Sequence, residues 1–159
     1  MVAAVAPLGP RAYDSSMRTA DATRAKDIAA IATRFDLADV YVFGSRAGEV
    51  AIGDGRSISR APESDVDIAV RSRDLGAHAP TDRVALTLAL EQALGVDCVD
   101  LLVLSEATAL LALAAIRGNL LYCADSVDQA EYELFVLRRA GDLAPLERER
   151  QEIVFHGGR

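Results

Sequence analysis

The sequence predicts an α/β (α+β) sandwich, a mixed four-stranded sheet flanked by helices with further helix at the C-terminus. Three observations predict it. Four apolar runs rich in β-branched residues alternate with segments of helical periodicity. The second and third runs are joined by a full helix, long enough for a crossover between parallel strands. Beyond the fourth run the chain is helical in character and includes the charged stretch 147–152.

Each element has a local reason. Residues 1–18 read as a loose leader, and residues 19–159 as a single domain that includes the C-terminal helices. A helix is expected from near Asp21 to Phe35, because Ile28, Ile31, Ala32 and Phe35 recur at helical spacing. Asp39-Val40-Tyr41-Val42-Phe43 is a strand that stops at Gly44, where the chain turns sharply. Residues 46–63 are rich in Gly, Ser, Arg and Ala. They read as a short helix followed by a loop through Gly53-Asp54-Gly55.

Val66–Val70 is the second strand, and Pro80–Leu94 a helix capped by Thr81 and ended by Gly95. The apolar run Val96–Leu104 is the third strand. Ser105 is expected to cap a helix ending at Gly118, and Asn119–Ala124 is the fourth strand. Ser126 with Gln129 reads as a capping box opening a helix that closes at Gly141, and a last helix spans Asp142 to about Phe155.

Composition narrows the function classes. The net charge of −7 disfavours polymeric nucleic acid as a partner, since surfaces that hold nucleic acid through its phosphates are usually basic. The longest apolar run, Ala107–Ile116, is too short to span a bilayer, so no membrane role is expected. The two cysteines, Cys98 and Cys123, lack zinc-ligand spacing and read as buried free thiols of a reducing cytoplasm. The two histidines, His78 and His156, neighbour no candidate nucleophile.

The chemistry concentrates at two places. Asp65 and Asp67 leave the same face of the second strand, with Cα atoms roughly 6–7 Å apart. Two carboxylates on one face repel unless a proton or cation joins them, and oxygen-rich sites of this kind suit Mg²⁺ shared with phosphate. An Asp-x-Asp pair is usually solvated surface. Here it opens a strand that continues Ile68-Ala69-Val70, where acid costs stability and needs a reason.

Gly44-Ser45 is the second place. Glycine after a buried strand lets the backbone approach a phosphate, Ser45 and nearby N–H groups donate to it, and Arg46 adds charge. Neither a Walker A loop nor a dinucleotide fingerprint is present.

A third acid should complete the pair, and Asp97 and Asp100 are the candidates. Gly44-Ser45 ends the first strand and Asp65 begins the second, so strands facing one phosphate should run antiparallel. A parallel third strand then brings its own start level with Asp65 and Asp67. Asp97 stands at that start. Asp100 lies roughly 10 Å farther at about 3.3 Å per residue, on the opposite face. Asp97 is therefore the expected third ligand.

Phe43-Gly44-Ser45-Arg46, Ser64-Asp65-Val66-Asp67-Ile68-Ala69-Val70 and Val96-Asp97-Cys98-Val99 together resemble the signature of the polymerase-β-type nucleotidyltransferase superfamily. The short chain resembles its minimal nucleotidyltransferase (MNT) branch. Ile116–Tyr122 and Ala140–Leu143 resemble the tail of the MntA-type antitoxins, and the likeness covers about residues 38–145.

The resemblance implies the polymerase-β-type nucleotidyltransferase fold. It implies nucleotide phosphates held by Gly44, Ser45 and Arg46, and Mg²⁺ bound by Asp65, Asp67 and Asp97 as the catalytic carboxylates. It further implies AMP transfer from ATP to a tyrosine of a HEPN-domain toxin. Residues 46–64 form a longer spacer than the family's, which leaves the acceptor in question. Two other readings stand beside this one: a nucleotidyltransferase acting on a small molecule, and a non-catalytic antitoxin that works by binding alone.

Overall fold

The computed structural model describes residues 15–51, 64–73 and 80–156. The leader at 1–14, the Gly53–Gly55 stretch with Arg56 and Arg60, and His78 lie outside the described residues. The elements are α1 (Ser15–Arg34), β1 (Leu37–Phe43), α2 (Ala47–Ala51), β2 (Val66–Ser72), α3 (Pro80–Leu94), β3 (Val99–Val103), α4 (Ala109–Ile116), β4 (Asn119–Cys123) and α5 (Ser126–His156).

The sheet has four strands in the order β3-β2-β1-β4. β1 runs antiparallel to both β2 and β4, and β2 runs parallel to β3. The sheet is therefore mixed, as the crossover through α3 requires. β1 is central, and its residues Leu37–Val42 are all buried. Alternation sends successive side chains to opposite faces. Val40, Val42, Ile68 and Val70 pack with Ile28, Leu86 and Leu90 from α1 and α3. Tyr41 and Ala69 pack with Ala112, Ala115 and Val136 from α4 and α5. Burial of a side chain such as Leu90 contributes about 1.5–3 kcal/mol.

Several boundaries differ from the sequence reading. α1 begins at Ser15, so residues 15–18 of the expected leader are helical. Apolar periodicity marks only the packed part of a helix, not the polar turns ahead of it. β3 begins at Val99 rather than Val96. Gly95, at φ +67°, ends α3 as expected, but the Val96 N–H bonds back to the Glu91 carbonyl, so Val96 still belongs to the helix end.

α4 is capped by Thr108, whose side chain accepts from the Leu111 N–H, and not by Ser105. α5 is one helix, with Pro145 inside it, where two were expected. Gly141 ends a helix only by adopting positive φ, and it does not do so. The cap of α5 is Asp125, which accepts from the Val127 and Asp128 N–H groups. Gln129 turns instead to the Tyr41 hydroxyl and Glu133. Cys98 is exposed and Cys123 half-buried, so neither is the fully buried thiol expected. No helix among the described residues is long and apolar enough to cross a membrane.

α5 is fastened to the sheet by a polar network on the α4/α5 face. Arg71 Nε donates to Asp39 Oδ2 at 2.6 Å and its Nη2 to Asp128 Oδ2 at 2.6 Å, while the guanidinium lies 4.7 Å from the centre of the Tyr132 ring. Asp39 is fully buried and its Oδ1 has no hydrogen-bond partner. Burial pushes its pKa up, and the Arg71 hydrogen bond and charge oppose that rise.

Candidate active site

β1 ends at Gly44, and the antiparallel register pairs Phe43 with Asp67. The glycine turn is thereby brought against the start of β2. Gly44 has φ +74°, a conformation that L side chains rarely adopt. It is also pressed on the acid: a Cβ added there would lie 2.1 Å from Asp67 Oδ2. Ser45, next in the chain, is exposed at this turn.

The parallel register pairs Val66 with Val99 and Asp67 with Asp100. Asp67 and Asp100 therefore stand side by side on one face, the face that Ala69 and Leu102 share with α4 and α5 farther along. Asp65 lies just before β2 and is exposed. The Asp67 pKa is raised, first by burial and then by the charges of Asp100 and Asp65. The structure thus brings Asp65, Asp67 and Asp100 to the Gly44 turn.

Asp97, the expected third acid, stands apart from them. It precedes β3, on the segment Val96–Cys98 between α3 and the strand, and lines a shallow depression with Arg34, Glu91 and Gln92. The difference from expectation is one of register. The first three residues of the apolar run belong to the turn out of α3, which shifts the strand start to Val99 and puts Asp100 opposite Asp67. In the sequence Asp100, unlike Asp97, is followed directly by the uninterrupted apolar run Leu101-Leu102-Val103.

Arg46 is held within the protein. Its guanidinium, expected at the phosphates, is buried: Nη1 donates to the Ser64 carbonyl at 2.9 Å, and Nε and Nη2 donate to Glu49 Oε2 at 3.4 and 3.3 Å. The exposed thiol of Cys98 also lies near Asp65. Interaction with the Asp65 carboxylate is the main cause of its raised pKa.

Among the described residues no three His, Cys, Asp or Glu side chains form a closed metal cage. A Mg²⁺ ion does not require one, because it commonly takes one or two carboxylates and fills its remaining positions with water and substrate phosphate. The crowded, like-charged Asp67 and Asp100 beside a glycine turn fit such a shared ion.

Residues 26–127 match the family model for polymerase beta, nucleotidyltransferase. The chain belongs to this family. Solved structures agree on the fold. A chain of a mutant MntA–HpeT toxin–antitoxin is 25% identical, with a TM-score of 0.59 over 85% of this chain and 98% of that one. A chain of a toxin–antitoxin with AMP-PNP is 26% identical, with a TM-score of 0.58 over 85% of this chain and 98% of that one. A chain from a tri-AMPylated Shewanella oneidensis HEPN toxin in complex with MNT antitoxin is 24% identical, with a TM-score of 0.57 over 87% of this chain and 99% of that one. A comparison with curated proteins gave no match. As a member of the family the chain is a nucleotidyltransferase.

Proposed function

We propose that this nucleotidyltransferase is the antitoxin of a toxin–antitoxin pair, and that it transfers AMP from ATP to a tyrosine of a HEPN-domain toxin in the cytoplasm. The observation that carries the proposal is the contact of the Gly44 turn with the Asp67 carboxylate, with Asp100 in register beside it. A phosphate held at the turn is then within reach of the acids. Likeness to chains of toxin–antitoxin structures, one with AMP-PNP, supports the partner and the nucleotide.

In this reading Ser45 and the backbone N–H groups after Gly44 hold the phosphates, with the open glycine backbone permitting close approach. Asp67 and Asp100, helped by Asp65, hold Mg²⁺. Bound there, the ion would neutralise phosphate charge and polarise the phosphorus centre. The acceptor oxygen attacks the α-phosphorus. A new P–O bond forms, the bond to the β-phosphate oxygen breaks, and pyrophosphate leaves. The acceptor proton passes to a carboxylate of the acid group. A non-catalytic binder would have no need of three acids gathered at one turn, since their mutual repulsion only costs stability.

The test is to mix the chain, Mg-ATP and the product of the adjacent gene, and to measure intact mass. One or more AMP additions on the toxin are expected, removed by Asp67→Asn. A toxin that is neutralised without any mass change would defeat the transferase reading and favour binding alone.

A further inference from the structure

We propose that Arg46 is a positioning residue that sets the distance between the phosphate-holding turn and the acids. The inference rests on the reading above. The β1–β2 ladder ends at the Phe43–Asp67 pair, so Gly44-Ser45 and Ser64-Asp65 lie past its last rung. Arg46 directly follows Ser45, and Ser64 directly precedes Asp65. The bond from Arg46 Nη1 to the Ser64 carbonyl therefore ties one half of the site to the other where the ladder no longer does.

The tie is built to be rigid. Arg46 is 5% exposed. Glu49 takes Nε and Nη2 together from the first turn of α2, fixing the plane of the guanidinium. The Val50 N–H bonds back to the Arg46 carbonyl, and the Val50 carbonyl accepts from Arg24 of α1, which anchors α2 to the body of the fold. Arginine suits the task because its planar fork serves a carbonyl and a carboxylate at once. A long spacer adds little closure entropy, but it leaves its two ends free to drift unless something clamps them. Arg46 clamps both ends of the segment between Ser45 and Asp65.

The test compares wild type, Arg46→Gln and Arg46→Lys. ATP affinity is measured by calorimetry with and without Mg²⁺, alongside melting temperature and the kcat and KM of AMP transfer. If Arg46 only positions, Arg46→Gln keeps its metal-free ATP affinity but loses much of the gain that Mg²⁺ gives. Its kcat falls about 10- to 100-fold, the scale of a misplacement near 1 Å. Arg46→Lys, which reaches Ser64 or Glu49 but not both, recovers part of each.

Wild-type kcat and metal enhancement in Arg46→Gln overturn the proposal. So does a loss of ATP affinity that is equal with and without metal, because that result makes Arg46 a phosphate ligand. Should Arg46→Gln fail to fold, Arg46→Lys decides on the same readouts: reduced metal enhancement supports the role and wild-type enhancement overturns it. A wild-type chain that binds Mg-ATP but modifies no toxin defeats the proposed acceptor while leaving the binding test of Arg46 in force.

Discussion

Gly44 and Asp67 occupy each other's space: any side chain at Gly44 would begin 2.1 Å from the Asp67 carboxylate. The position also holds φ +74°. Gly44→Ala thus meets backbone strain of about 1–2 kcal/mol and a direct clash with an acid of the site. The expected result is a lower melting temperature and loss of the stabilisation that Mg-ATP gives. An alanine variant with the wild-type Mg-ATP shift would show that the turn does not shape the site.

Asp97→Asn and Asp100→Asn separate the two possible third acids. Asp100 faces Asp67 in the parallel register, whereas Asp97 precedes the strand. Asp100→Asn should lower AMP transfer by about 100-fold or more, the scale for losing a group placed for a charged transition state. Asp97→Asn should keep most of the activity. Steady-state rates for the two variants, each normalised to folded protein, decide the matter, and the reverse ranking would refute the register argument.

Asp67→Asn should raise the metal-free melting temperature at neutral pH while abolishing the Mg-ATP shift. The Asp67 pKa is raised by burial and by Asp100 and Asp65, so ionised Asp67 burdens the folded state. Folded Asp67 takes up its proton at higher pH than unfolded Asp67. The penalty is therefore fully present above the folded pKa, shrinks as pH falls through it, and is gone below the unfolded pKa. The stabilising effect of Asp67→Asn should shrink over the same window. Melting curves across acid to neutral pH measure it, and an effect that grows on acidification would contradict the assigned cause.

Arg71→Met should destabilise by about 3–5 kcal/mol, because it leaves the buried Asp39 carboxylate without its cation. Asp39 is fully buried, and the Arg71 side chain is only 15% exposed. The double variant Asp39→Asn with Arg71→Met should recover a large part of the loss, since no buried charge is then left unpaired. Urea denaturation of the three variants tests this, and additive losses would mean that the pair is not coupled.

Much of the fold is legible from local chemistry. The β-branched run before Gly44, the apolar stripe of Pro80–Leu94 and the positive-φ stop at Gly95 depend on residues near one another in the chain. Helix ends without such a stop depart from the local expectation: Thr108 rather than Ser105 caps α4, and α5 runs through Gly141 and Pro145. In those places several residues of similar propensity compete, and along α5 the burial of Val136 and Ala140 favours continuation of the helix.

The sequence by itself determined the mixed α/β sheet, the glycine turn at Gly44-Ser45 and the acid pair Asp65 and Asp67. All of these follow from periods of two and 3.6 residues and from the backbone freedom of glycine. Only the tertiary structure decided that Asp100 stands beside Asp67, and that Arg46 reaches back to Ser64. Both facts concern segments that meet across an intervening helix or a long spacer. The register of two strands so joined is set by how α3 packs and where it stops, and a buried guanidinium goes to whichever carbonyl the folded chain leaves within its reach. Neither quantity is written in the spacing of neighbouring residues.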